Sequence, residues 1–401
     1  MFKLSLTEFI YNGCFAAANF LSVFLESIGF SAGQIGLTMS LISGVGIASQ
    51  PAWGVVSDRI RSVRRCFRLC MTGTALFALA VPFFSGNGNV RPEWLIAALA
   101  LMYFFFHPSN MMMELWLVRL SAHPTLRISY GSVRSWASIG YAVLNLAFVP
   151  ILRFVPVSGV YFFMAAFAAA AALLSLRVPA ETENAAAEAP RQQRLRDMPF
   201  RSVLSYWVAA YILFEVLYQI PFNWRVTYTV YVLREFHVDN SLFGALMFTA
   251  GLCEVPVLLL TKKLSGRVGW AWPLILSTAI LTLEYSLYAW GNSVYILFAA
   301  QLLRGFSYAL FVAGRNQYIY RLAPRGMEGS TMALVNMVVS VTNLIAAAAG
   351  GFLVERLGTR SFFVLLSALQ LFSGVFFVMS HLAGSKRFKK PLPDAQCALL
   401  R

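Results

Sequence analysis

The chain has 401 residues, 59% of them hydrophobic and only 12% charged, which leaves too little polar surface for a water-soluble fold of this length. A net charge of +15 raises nucleic acid as a partner, but where the basic residues fall argues against it. Reading the loops alternately, 25 of the 32 Lys and Arg lie on the side shared with Asp58 and the C-terminus, five lie opposite (Arg91, Arg153, Arg234, Arg356 and Arg360), and Arg225 and Arg304 lie within apolar segments.

Apolar runs of helical length fall at about 4 to 26, 33 to 57, 66 to 86, 92 to 119, 127 to 152 and 157 to 177, and resume at about 201 to 232, 240 to 262, 270 to 290, 293 to 321, 328 to 353 and 361 to 382. At 1.5 Å per residue each can cross a bilayer. The expectation is an all-α membrane protein of twelve transmembrane helices: a six-helix bundle over 1–177, a cytoplasmic linker over 178–200, a second six-helix bundle over 201–384 and a basic cytoplasmic tail over 385–401. Both termini are expected in the cytoplasm, with the protein in the cell membrane and acting as a monomer. The run after Lys3 is too long for a signal peptide and is read as the first span. The tail, with Lys386, Arg387, Lys389 and Lys390, suits anionic lipid. Five cysteines, mostly in or beside the spans, form no disulfide framework, and Cys66 and Cys70 lack accompanying His ligands, so neither a metal nor a cofactor is expected.

Gly54 to Arg65 reads as a charged inter-helix turn at the cytoplasmic face, in which the carboxylate of Asp58 calls for a partner such as a helix N-terminus. Gly54, then Asp58 and Arg59, then clustered arginines resembles the loop between helices 2 and 3 of major facilitator superfamily transporters, where the Asp latches the two halves. The resemblance implies a cytoplasmic gate, although Arg61 replaces the usual glycine; an ordinary basic inner loop is the alternative. Gly131-Ser132 and Asn145-Leu146 in span 5 recur as Gly329-Ser330 and Asn343-Leu344 in span 11, both at an offset of 198, and Arg119-Leu120 recurs as Arg321-Leu322. Six spans per repeat give parallel repeats about the membrane normal. Phe24 to Gly36, Tyr130-Gly131 with Arg134 and Trp136, Gln301 to Phe306, and Gln317 to Pro324 resemble the phenylpropionate permease and lactose permease branches over nearly the whole chain.

An ionisable side chain near mid-bilayer costs about 2.5 to 3.5 kcal/mol and usually faces a partner or water. Glu215, Glu254, Glu284 and Arg304 qualify in the second half, His107 and Arg134 in the first. Counted along their spans, Arg304 lies about 17 Å, Glu284 about 9 Å and Glu254 about 21 Å from the outer edge. The expected arrangement is a Glu284–Arg304 ion pair for which Glu254 competes, so that protonating an acid redistributes the pairing; a permanent packing bridge is the alternative. By the lactose permease pattern, Glu284 stands at its span 9 arginine, Arg304 at its span 10 histidine and Ser307 at its essential glutamate, so that machinery is not carried over intact and Glu215 remains a candidate proton carrier. Glu114, resembling a span 4 carboxylate, is a candidate gate partner of Arg134, with simple solvation near the inner edge as the alternative. His107 is a core histidine or a cavity group, Arg225 a snorkelling side chain or, with Asn223 and Trp224, part of an outer vestibule, and Trp136, Tyr211, Tyr218 and Gln219 candidate cavity residues, with packing or interface belt the alternative for the aromatic ones.

No His-Glu-x-x-His, no phosphate-cradling glycine loop and only four scattered histidines argue against an enzyme. The expected function is secondary active transport of a small organic solute by alternating access, proton-coupled, with an aromatic or organic acid or a sugar-like compound as substrate. Proton-driven efflux of an amphiphile is the alternative.

Overall fold

The computed structural model describes residues 2–60, 62–85, 91–121, 128, 130–178, 205–236, 238, 242–268, 271–323 and 328–388. The first half forms α1 (Phe2–Ala18), α2 (Leu21–Ser27), α3 (Ala32–Ile60), α4 (Val63–Ser85), α5 (Pro92–Ser121), α6 (Tyr130–Ile151) and α7 (Val160–Ser175). The second forms α8 (Tyr206–Glu235), α9 (Leu242–Val268), α10 (Ala271–Trp290), α11 (Val294–Leu322), α12 (Glu328–Leu357) and α13 (Thr359–Phe388). Helices α1 and α2 are one crossing broken at Asn19, whose side-chain amide donates instead to Tyr141 Oη (2.8 Å) and Asn145 Oδ1 (3.3 Å) on α6. Among the described residues twelve crossings result, as the apolar runs predict.

Eight of the described segments are apolar and long enough to cross a membrane on composition alone. Helices α6, α8, α9 and α10 fall short, and each carries ionisable side chains within its body: Arg134, Glu215 with Arg225, Glu254, and Glu284.

Two compact units divide the chain, one holding residues 1–191 and 239–248, the other 192–238 and 249–401. In the first, α1 packs on α6 and α7, and α4 on α5 and α7. In the second, α8 packs on α12 and α13, and α10 on α11 and α13. These are the same four pairings at equivalent places, as duplication requires. The core of the first unit gathers aromatic rings edge to face, Tyr11 meeting Phe15 and Phe67 at 5.3 Å each. That of the second stacks Tyr218 on Phe311 at 4.1 Å and sets Phe214 against Phe377 at 4.4 Å.

The charged turn is shorter than its composition predicts. Helix α3 continues through Gly54 to Ile60 and α4 starts at Val63, because Ser57 to Ile60 retain the hydrogen bonds of the preceding turns. Arg59 is exposed in the last turn of α3, and Gly54 is helical with nothing near its missing Cβ. The side chain of Asp58, Arg61, the linker beyond residue 178 and the tail beyond residue 388 lie outside the described residues.

Gly140 on α6 is the opposite case. A Cβ there would lie 2.8 Å from the Cα and 2.9 Å from the carbonyl carbon of Phe9 on α1, backbone atoms that cannot turn aside. Gly140→Val is expected to force α1 and α6 apart and cost about 1–3 kcal/mol, read as a lower melting temperature in detergent, whereas Gly54→Ala should leave the melting temperature unchanged or raised.

Candidate functional site

Among the described residues, charged side chains inside the helices gather in three clusters. In the first unit, Glu114 near the end of α5 and Arg134 near the start of α6 meet at 2.8 Å between Nε and Oε1, and remain 32% and 42% exposed. The Tyr130 hydroxyl donates to Glu114 Oε2 at 2.7 Å. Glu8 on α1 completes the group. It is buried, feels the charges of Arg134 and Glu114, and accepts from Asn12 Nδ2 at 3.2 Å one helical turn on.

In the second unit, Glu215 on α8 accepts from Arg315 Nε on α11 at 2.5 Å, and Arg315 Nη2 donates to Asn336 Oδ1 on α12 at 2.8 Å. Tyr211 and Gln219, one turn to either side of Glu215, stand beside the same carboxylate. The third cluster is ten residues further along α8, about 15 Å at helical rise. There Arg225 Nε lies 3.4 Å from Glu284 Oε1 on α10, with side-chain exposures of 2% and 0%, and its guanidinium sits 5.0 Å over the Phe222 ring. Arg304 Nη1 donates to Gln301 Oε1 (3.1 Å), whose amide donates to Tyr288 Oη (3.0 Å). The positive charge of Arg304 acts on both Glu254 and Glu284.

The residues expected to act together are therefore only partly rearranged. Glu254, Glu284 and Arg304 share one electrostatic neighbourhood, but the direct partner of Glu284 is Arg225 rather than Arg304. Glu284 faces inward to α8, while Arg304 turns to Gln301 on its own helix. Arg225 does not snorkel to the surface, because an oppositely charged group is available in the core. Glu114 and Arg134 do pair. His107 tilts against the Tyr103 ring at 5.2 Å and packs over Gly46 on α3. Trp136 is 39% exposed and meets Phe9 edge-on, whereas Tyr211 and Tyr218 are buried. The Tyr218 hydroxyl lies 2.9 Å from Ser277 Oγ, which in turn lies 2.9 Å from Ser307 Oγ, so this ring is committed to packing. Among the described residues no three His, Cys, Asp or Glu side chains group together as metal ligands.

Glu8, Arg315 and Asn336 escaped the sequence reading. Arg315 looks like one more basic residue of the inner face, and Glu8 sits close behind Lys3 at the start of a span. The signal that finds Glu8 is its spacing to a tyrosine and an amide, which recurs at Glu215.

The model of a family described as "MFS_1 like family" matches residues 1–365. The chain is 27% identical to the maltose permease of Geobacillus stearothermophilus over 350 residues, covering 84% of this chain and 83% of that protein. It is 23% identical to the uncharacterized transporter YwbF of Bacillus subtilis over 375 residues, 90% and 88% of the two chains. Among solved structures, the nucleoside transporter NupG is similar with a TM-score of 0.80 at 14% identity, over 95% of this chain and 98% of that one, a likeness of fold.

Removing one partner of a buried ion pair strands the other in a medium that cannot solvate it. Arg225→Met is expected to cost about 3–5 kcal/mol of unfolding free energy in detergent, with Arg225→Met/Glu284→Leu recovering most of it. A single variant within about 0.5 kcal/mol of the parent would show that the pair is not needed to hold either charge.

Proposed function

The chain belongs to the MFS_1 like family, whose members are membrane transporters, and we propose that it carries a small polyhydroxylated solute, a sugar or a nucleoside, across the cell membrane by proton-coupled alternating access. The observation that carries the substrate class is the Glu114–Arg134 pair with Tyr130 and Asn12 around it. A carboxylate, a guanidinium, a phenol and an amide at one partly exposed place offer donors and acceptors side by side, the set that vicinal hydroxyls can satisfy. Two carboxylates share the single arginine, so the group is net negative with Glu8 ionised and neutral with Glu8 protonated, and in neither state has a surplus positive charge for an organic anion. The maltose permease and nucleoside transporter named above fit a hydroxylated solute as well.

Proton coupling is the second part of the reading. A carboxylate held in hydrocarbon exchanges its stabilisation between a cationic side chain and a bound proton, so a proton can be taken up on one face and surrendered on the other as the pairing changes. The basic linker and tail, and Asp58 with Arg59 at the end of α3, mark the cytoplasmic face in this reading, and Glu114 would gate it.

The test is uptake into proteoliposomes of maltose, a nucleoside and an aromatic carboxylate, with and without an inward proton gradient. The expected result is gradient-dependent accumulation of a hydroxylated probe, abolished by a protonophore and reduced at least about tenfold in Arg134→Gln or Glu114→Gln, as a lost charge-assisted hydrogen bond implies. Accumulation of the carboxylate alone would replace the substrate class, and accumulation indifferent to the gradient would remove the coupling.

A further inference from the structure

The first helix of each half carries the same short pattern. Glu8-Phe9-Ile10-Tyr11-Asn12 on α1 recurs as Glu215-Val216-Leu217-Tyr218-Gln219 on α8, an offset of 207. The structure shows that the likeness is more than a chance of composition. Tyr11 Oη lies 2.9 Å from Ser109 Oγ on α5, and Tyr218 Oη lies 2.9 Å from Ser277 Oγ, which contacts Ser307 Oγ on α11 at 2.9 Å. Ser109 and Ser307 are 198 apart, the same offset as the Gly-Ser and Asn-Leu repeats of the fifth spans. Glu8 and Glu215 are thus equivalent positions of a duplicated unit, each followed one turn later by an amide.

Their charge surroundings have diverged. Glu215 has an arginine to itself, and Arg315 is held in place by Asn336, so one carboxylate is balanced by one guanidinium. Around Glu8 two carboxylates share Arg134, and the salt bridge goes to Glu114, which also accepts the Tyr130 hydroxyl. Glu8 is 2% exposed and accepts a side-chain hydrogen bond from the neutral amide of Asn12. The groups facing it are Arg134 and Tyr130 from α6, Glu114 from α5, and Tyr11 and Asn12 from its own helix. Helix α7 has Tyr161 as its titratable side chain, and that ring packs on Phe24 at 4.9 Å. Lys3, five residues earlier on α1, is exposed. A buried carboxylate with no cation of its own is costly in its ionised form, and a proton removes the cost.

We propose that Glu8 is the carboxylate that binds the coupling proton, and that Glu215, its repeat equivalent, is locked as an ion pair with Arg315 and does not exchange. This rests on the proton-coupled transport reading. The step is a simple association: the Glu8 carboxylate takes a proton from the aqueous phase and becomes a neutral acid while Arg134 serves Glu114. The proton departs when Arg134 turns from Glu114 to Glu8.

Infrared pH titration of the reconstituted protein tests the assignment without any solute, so its result does not depend on choosing the right substrate. The expected result is a protonated-carboxyl C=O band that disappears as pH rises within about pH 5–9, the range open to a perturbed carboxylate. That band should be absent in Glu8→Gln, present in Glu215→Gln, kept with a displaced midpoint in Glu8→Asp, and moved to higher pH in Arg134→Gln, which removes the neighbouring positive charge. Absence of the band in the parent, its survival in Glu8→Gln, or its loss in Glu215→Gln would overturn the assignment. Gradient-driven uptake together with a band that survives in Glu8→Gln would leave the transport reading standing and remove Glu8 alone.

Discussion

An ionised side chain cannot be left alone in hydrocarbon, and the charged helices of this protein are arranged to meet that constraint. Helix α8 shows it most plainly. It brings Glu215 and Arg225 into the second unit ten residues apart, too far to neutralise one another, and each is met by a different helix: Arg315 from α11 and Glu284 from α10. The cost of each charge is offset by a partner whose own burial would otherwise be equally unfavourable, so each pair holds two helices in register. Between the two levels, the hydroxyls of Tyr218, Ser277 and Ser307 join α8, α10 and α11 without introducing charge.

Duplication explains why the units resemble one another, and charge explains where they part. The helix pairings match, and in each half the first-span tyrosine meets a serine hydroxyl, Ser109 of the fourth span in one and Ser277 of the third, which reaches Ser307 of the fourth, in the other. The arginine does not match: it comes from the fifth span in the first unit and from the fourth in the second. That displacement leaves a largely buried, evenly balanced pair in one unit and a partly exposed group of two carboxylates and one arginine in the other.

The twelve crossings were legible because runs of about twenty apolar residues are an unambiguous length signal, and the repeat because Gly-Ser and Asn-Leu recur at one offset. Boundaries were less so. The charges from Gly54 to Arg65 read as an inter-helix turn, but polar residues are tolerated in the last turns of a helix that emerges from the bilayer, and α3 simply continues through Ile60. Partner choice was least legible of all. Glu284 and Arg304 lie on consecutive spans, yet facing depends on rotation about each helix axis, which depth does not determine, and Glu284 turns to Arg225 instead. Arg315 was hidden among inner-face basic residues for the same reason: a count of charges by side cannot tell an arginine in the headgroups from one folded back toward Glu215.

If paired burial is what allows these helices to carry charge, the two members of a pair must be energetically inseparable. A double-mutant cycle on Glu215→Gln and Arg315→Gln, read from unfolding free energies in detergent, measures this directly. The account predicts that the double variant is more stable than the sum of the single losses implies, by about 1.5 kcal/mol or more, because each single change strands the other charge. Additivity within about 0.3–0.5 kcal/mol would mean that Glu215 and Arg315 are held independently, and would contradict it.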